Sequence, residues 1–130
     1  MADKLTFSLV SPERELFSGD VDQVDIPGSE GDMGIFPDHS PVMAAIRTGA
    51  VTVYDNGTQT VYFVQGGFVD VTPEGLTVLA ERAMLMSDVS KSDLDASIEA
   101  ATMALEGLEG EAALMAQQNL DGLNAVAATL

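Results

Sequence analysis

Hydrophobic and polar residues alternate along the first two thirds of the chain and then change period. Leu5, Phe7 and Leu9 share one parity and Thr6 and Ser8 the other, the two-residue repeat of a half-buried strand. Val51 and Val53 alternate with Thr52 and Tyr54 in the same way, and beyond Asp55-Asn56-Gly57 comes the run Val61-Tyr62-Phe63-Val64. Asn-Gly between two such runs predicts a tight hairpin, because both residues accept the positive φ that a two-residue turn imposes. Pro73-Glu74-Gly75 predicts another reversal, between Val69–Thr72 and Leu76–Ala80. One run changes phase: Val21 lies on one parity, Val24 and Ile26 on the other. An extra residue near Asp22-Gln23 returns all three to the core and predicts a β-bulge there; the alternative is two separate strands. Short strands spaced by turns indicate a β-sandwich or barrel.

From about Asp88 the repeat is helical. Leu94, Ile98, Ala101 and Leu105 recur at i, i+4, i+7 and i+11. Ser90 or Ser92 can cap this helix, with Asp93 and Asp95 in the first turn, where the helix dipole favours carboxylates. Gly107-Leu108-Glu109-Gly110 interrupts the pattern, and a second helix follows with Ala113, Ala116, Leu120, Leu123 and Ala127 on one face. So short a connection implies an antiparallel pair. The fold class expected is therefore α+β: an N-terminal antiparallel β-sandwich over residues 1–86, then a C-terminal antiparallel two-helix hairpin over 87–130. Ten alanines follow residue 88, four in the first helix and six in the second. They favour helix but bury little apolar area, and Gly122 costs the second helix about 1 kcal/mol against alanine. Such a hairpin holds its shape by docking, on the β domain or on a partner.

Composition narrows the function. At 130 residues with 46% hydrophobic content, the chain can build a packed core. Absence of cysteine excludes disulfides, thiolate metal sites and a cysteine nucleophile. Met1 leads into the polar Ala2-Asp3-Lys4, with no positive and then apolar leader, so no secretion signal is expected. The apolar runs fall far short of the ~20 residues that span a bilayer. Five basic against 21 acidic residues give a net charge of −16. That charge disfavours nucleic acid and direct lipid insertion as partners.

Candidate chemistry concentrates between Gly28 and Pro41, and most of it eliminates itself. The glycines there resemble a phosphate cradle, but Glu30, Asp32 and Asp38 repel phosphate and no Gly-Lys-Ser/Thr follows. The alternating ligands of a calcium loop are missing too. Gly31 and Gly34 can take backbone conformations closed to other residues, and Pro37 and Pro41 stiffen the exit. So much fixed geometry suggests docking. His39, the sole histidine, has no nucleophile motif near it and is read as structural or interfacial. Asp20, Asp22 and Asp25 are read as the solvent side of a strand rather than a metal cluster. Met33, Met43, Met84, Met86, Met103 and Met115 are read as packing residues. No catalytic, metal or cofactor site is expected.

The stretch Ser29-Glu30-Gly31-Asp32-Met33-Gly34-Ile35-Phe36-Pro37-Asp38-His39-Ser40-Pro41 closely resembles the Gly-x-x-Gly-Ile-x-Pro-x-His-x-Pro motif of the ATP synthase epsilon subunit family. Leu9-Val10-Ser11-Pro12-Glu13 with Leu16-Phe17-Ser18-Gly19 resembles the family's opening, and Gly49-Ala50-Val51, Gly66-Gly67-Phe68-Val69-Asp70-Val71 and Thr77-Val78-Leu79-Ala80-Glu81 its later strands. The likeness runs over residues 4–86 in order. It implies a non-catalytic central-stalk subunit that couples rotation of the membrane c-ring to the catalytic head through the gamma subunit, at the cytoplasmic face of the bacterial inner membrane. By similarity, Glu30, Gly31, Asp32 and Met33 meet the c-ring, and His39, Ser40 and Pro41 lie on the gamma side. The C-terminal helices would reach the catalytic alpha and beta subunits. Competing readings are a nucleotide-sensing brake and a small ligand-binding β-sandwich.

Two departures from the family weaken the brake. Relatives that bind ATP do so through Ile/Leu-Asp-x-x-Arg-Ala. Here the stretch is Leu94-Asp95-Ala96-Ser97-Ile98-Glu99, so Ile98 stands where the arginine would meet phosphate. From Asp88 onward one lysine faces eight carboxylates, one minus eight or −7, which opposes insertion beside acidic catalytic subunits.

Overall fold

Eight strands precede two helices in the computed structural model, which describes residues 4–29, 31–37 and 40–129. The strands are β1 (Leu5–Val10), β2 (Glu15–Val21), β3 (Gln23–Gly28), β4 (Gly31–Ile35), β5 (Val42–Ala45), β6 (Gly49–Asp55), β7 (Thr58–Thr72) and β8 (Gly75–Leu85). A 3-10 turn over Met86–Asp88 leads to α1 (Lys91–Leu105) and α2 (Gly110–Ala127). The sheet runs β2-β1-β8-β7-β6-β3-β4, with β5 also on β7. Its pairs are antiparallel except β1 with β8, which are parallel.

This one hydrogen-bonded path becomes two layers because β7 and β8 bend together. Tyr62 and Val64 are buried in the first half of β7, and Val69 and Val71 in the second, so the inward parity flips between them. The flip falls at Gly66 (φ 66°) and Gly67 (φ 121°), a backbone that other residues rarely adopt. A Cβ on Gly67 would stand 2.0 Å from the Leu79 carbonyl oxygen. Before the bend β7 pairs with β6; after it, with β5. The two halves close on a core that includes Phe7, Leu9, Val21, Val24, Ile26, Ile35 and Val78. Burying each such side chain contributes about 1.5–3 kcal/mol before chain entropy is charged against it. The Asn56-Gly57 hairpin forms as expected: Asn56 has φ 51° and Gly57 φ 79°, between the paired Asp55 and Thr58.

The bulge expected at Asp22-Gln23 is a break between two strands instead. β2 stays on β1, whereas β3 pairs with β6 and β4. Asp22 is the corner. Its N–H donates to the Tyr54 carbonyl (2.8 Å), and its carboxylate is held by Lys4 (2.8 Å) and the Asn56 N–H (2.7 Å). These outward anchors turn the chain from one layer to the other, so Val21 and Val24 both point inward.

Ser90 caps α1, its side chain accepting from the Asp93 N–H at 3.1 Å. The helices pack on each other and on the sandwich through a second apolar cluster of Phe63, Leu94, Ala101, Leu123 and Val126, flanked by Met84, Met86 and Ile98. The hairpin therefore docks on the β domain. Along α2 the buried stripe is shifted from the expected one: Leu123 is in it, but Gly122 and Val126 replace the alanines as its most buried members.

Candidate functional site

The described residues between Gly28 and Pro41 form the β3–β4 hairpin and the exit towards β5. Gly28 pairs with Gly31 across the turn, where a Cβ on Gly28 would meet the Gly31 carbonyl oxygen at 2.4 Å. Gly31 has φ 141°, as the sequence suggested. Gly34 has no positive φ. It pairs with Asp25, and its missing side chain leaves room for the Asp25 carboxylate, 3.3 Å from where a Cβ would be.

The turn is fastened to the body on both legs. Ser29 N–H donates to the Ala45 carbonyl (3.0 Å), Arg47 N–H donates to the Pro27 carbonyl (2.8 Å), and the Arg47 guanidinium pairs with Asp32. Gly31 and Asp32 are exposed, while Met33 is half-buried against the core. At the other end of β4, Ser40 and Pro41 are exposed. Glu30 and His39, expected on the ring and gamma sides respectively, lie outside the described residues.

From Pro41 the chain enters β5, where Met43, opposite Asp70 and diagonal to Phe68, borders an uncovered apolar patch on the sheet. Met43 on β5 is 71% exposed, Phe68 on β7 59% and Leu79 on β8 52%. Phe68 and Leu79 are direct cross-strand partners. Before the Gly66-Gly67 bend, the same outer face carries the pair Phe63 and Met84, which the helices cover. The hairpin thus covers one half of this apolar face and leaves the other open. No local pattern points to the row, because Phe68 reads as one more strand residue until the bend sets its parity. Three of the methionines expected to pack do not: Met43, Met103 and Met115 are all more than 60% exposed.

Asp20, Asp22 and Asp25 are each engaged by a different donor. Thr6 Oγ1 donates to Asp20 (2.9 Å), Lys4 to Asp22, and Tyr54 Oη to Asp25 (2.9 Å). That last bond raises the Tyr54 pKa, and Lys4, followed by the Asn56 N–H, holds the Asp22 carboxyl below its usual range. No metal-holding cluster occurs among the described residues. In the stretch compared above with an ATP motif, Leu94 is buried and Ile98 packs beside it in the helix cluster, while Asp95 is exposed. An open groove of about 730 Å³ separates α2 from the β7–β8 bend, with Phe68, Leu114 and Met115 on its walls. Among the described residues no helix is long and apolar enough to cross a membrane.

Residues 4–86 match the family model described as "ATP synthase, Delta/Epsilon chain, beta-sandwich domain". The ATP synthase epsilon chain of Maricaulis maris is 48% identical over 132 residues, covering 98% of this chain and 99% of the relative. That of Caulobacter vibrioides is 60% identical over 81 residues, covering 62% of this chain and 94% of the relative. Among solved structures, a chain of the Euglena gracilis mitochondrial ATP synthase (OSCP/F1/c-ring) superposes with TM-score 0.79 at 17% identity, covering 99% of this chain and 82% of that one. A chain of the Tetrahymena thermophila mitochondrial ATP synthase central stalk and c-ring gives 0.66 at 12%, covering 95% and 96%. These two likenesses are of fold.

Proposed function

The chain belongs to the ATP synthase epsilon-chain family, and we propose that it acts as a non-catalytic rotor part seated between the gamma subunit and the c-ring. Its place is then the cytoplasmic face of the bacterial inner membrane, held there by protein contacts. The observation that carries the reading is the β3–β4 turn: exposed at Gly31 and Asp32, yet tied to the sandwich through Ser29, Pro27 and Arg47. A part that transmits torque needs an outward foot that does not bend, and packed interiors deform little.

In this reading the foot, Glu30 to Met33, meets the polar loops of the ring, which are basic in the family, so an acidic contact is complementary. The gamma side begins at His39, Ser40 and Pro41 and continues over Met43, Phe68 and Leu79. An open apolar row of that kind marks a protein contact. Residues 1–86 are the docking unit and 87–130 the helical unit, which packs on the first through Phe63 and Met84.

Affinity purification of the full chain from its own cell membranes tests the proposal. Gamma, catalytic subunits and ring should copurify. Recovery of none of them, or turnover of a metabolite by the isolated chain, would sink it.

A further inference from the structure

The apolar contact of the hairpin with the sandwich lies at Phe63 and Met84. Its polar contacts lie elsewhere, at the root of the β3–β4 turn. Gln118 Nε2 donates to the Ser29 carbonyl oxygen at 3.1 Å. The next residue, Asn119, accepts through Oδ1 from the Thr48 hydroxyl. Thr48 is the buried polar residue among those described. One helical turn along from Gln118, Gly122 lies against the Thr48 carbonyl with no room for a Cβ.

Thr48 follows Arg47, whose guanidinium holds Asp32 on the far leg of the turn. Both legs are therefore tied to α2, Ser29 directly and Asp32 through Arg47 and Thr48. A turn held only at its base rocks about that base. A donor from a second element removes that freedom by fixing a further point. The Ser29 carbonyl sits at the turn itself, and Gln118 reaches it from outside the sheet.

We infer that α2 is a positioning element for the ring-facing turn. With the hairpin docked, Gln118 and Asn119 hold Ser29 and Gly31 to Met33 in the shape that meets the ring; with the hairpin released, the same turn loosens and grips less well. The inference rests on the ring-facing reading of that turn given above. It makes the helical unit matter to coupling without any contact between the helices and a catalytic subunit, and without nucleotide.

The test uses the full-length chain, amide hydrogen exchange and binding to purified c-ring. Gln118→Ala removes the donor without crowding the interface. Gln117→Ala is the control, since Gln117 bonds Asp121 on the exposed side of α2. Expected for Gln118→Ala is about fivefold faster exchange at Ser29 and Gly31 to Met33 and a ring affinity weaker by a similar factor, the scale of one neutral hydrogen bond. Gln118→Lys keeps a donor of similar reach and restores the protection, while Gln117→Ala leaves both readouts at the wild-type level. Unchanged exchange in Gln118→Ala overturns the inference, and so does faster exchange with unchanged ring binding. Asp32→Lys separates the two levels. If it abolishes ring binding while Gln118→Ala does not alter it, the inference fails and the ring-facing reading stands. If Asp32→Lys has no effect, or the wild-type chain does not bind the ring, both fail.

Discussion

Gly122 of α2 packs so closely on Thr48 that a Cβ on the glycine would stand 2.0 Å from the Thr48 carbonyl oxygen. Real side chains do not approach backbone oxygen to that distance, so an alanine forces the helix off the sandwich. On propensity alone Gly122→Ala should stabilise α2 by about 1 kcal/mol. The clash acts against this with the cost of overpacking, about 1–3 kcal/mol, and it falls on the interface instead of the helix. The expected outcome is retained helix in far-UV circular dichroism with faster amide exchange throughout α1 and α2, while exchange in β6 and β7 stays slow. A melting temperature above that of the wild type would show that the close approach is not restrictive.

That glycine also marks the limit of what the sequence made legible. The Asn56-Gly57 turn, the Ser90 cap and the Leu94–Ile98–Ala101 face follow from local rules, and each is found in place. Gly122 read as a defect because its reason lies 74 residues away along the chain, in a backbone oxygen. The parallel pairing of β1 with β8 leaves no local trace either. The phase change after Val21 was visible, but period alone does not distinguish a bulge from a strand that changes layers. Only the anchors of Asp22 on Lys4, Tyr54 and Asn56 decide it. At the β3–β4 turn the glycine pattern identified Gly31 correctly, with φ 141°, but not Gly34, which has no positive φ. The sequence was silent on α2 as the turn's support and on the Phe68–Leu79 row beside it.

That row supplies a sharp interface test. Phe68 and Leu79 face one another across β7 and β8 and are more than half exposed. Phe68→Glu should therefore change the stability of the isolated chain by no more than about 0.5 kcal/mol. At a buried interface the same change puts a charge against apolar surface, and the affinity for gamma should fall by at least about tenfold. Binding of the variant to a gamma-containing, epsilon-depleted assembly measures this. Equal affinity would move the gamma contact off this face.

Tyr62 gives a prediction at alkaline pH. Burial raises its phenol above the ordinary value of 10.0. The folded state therefore favours the neutral, protonated form. The stability this provides is complete below the unfolded value and is lost as pH rises through the folded one. Tyr62→Phe lacks the group, so above about pH 10 its stability should fall less steeply than that of the wild type. Denaturant midpoints at pH 8, 10 and 11 compare the two slopes, and parallel slopes would contradict the assignment.

Leu94 and Ile98 bear on nucleotide binding. Both belong to the apolar cluster that holds the hairpin down, so Ile98, compared above with the arginine of ATP-binding relatives, is engaged in packing. Titration calorimetry of the full chain with Mg-ATP should show no saturable heat up to millimolar nucleotide. Ile98→Arg would not create the site. It would place a guanidinium beside Leu94, and the expected result is a looser hairpin, seen as faster α1 exchange, again without ATP binding.

The charge of the helical unit decides the remaining question, whether it restrains the motor. From Asp88 onward the balance is one lysine against eight carboxylates, −7. A segment that enters an acidic catalytic interface must offset like-charge repulsion with buried apolar surface. Yet this hairpin already uses Leu94, Leu123 and Val126 against the sandwich. Leaving the docked state would expose Phe63 and Met84 and would give up the bonds of Gln118 and Asn119. Both terms favour the docked form, and repulsion disfavours the inserted one. ATP hydrolysis by the assembled complex should therefore change by less than about twofold when residues 88–130 are deleted. Raising ionic strength, which screens repulsion between exposed charges, should then slow the full-length complex more than the truncated one. A several-fold rise in rate on deletion at low salt would show that the helices insert despite their charge.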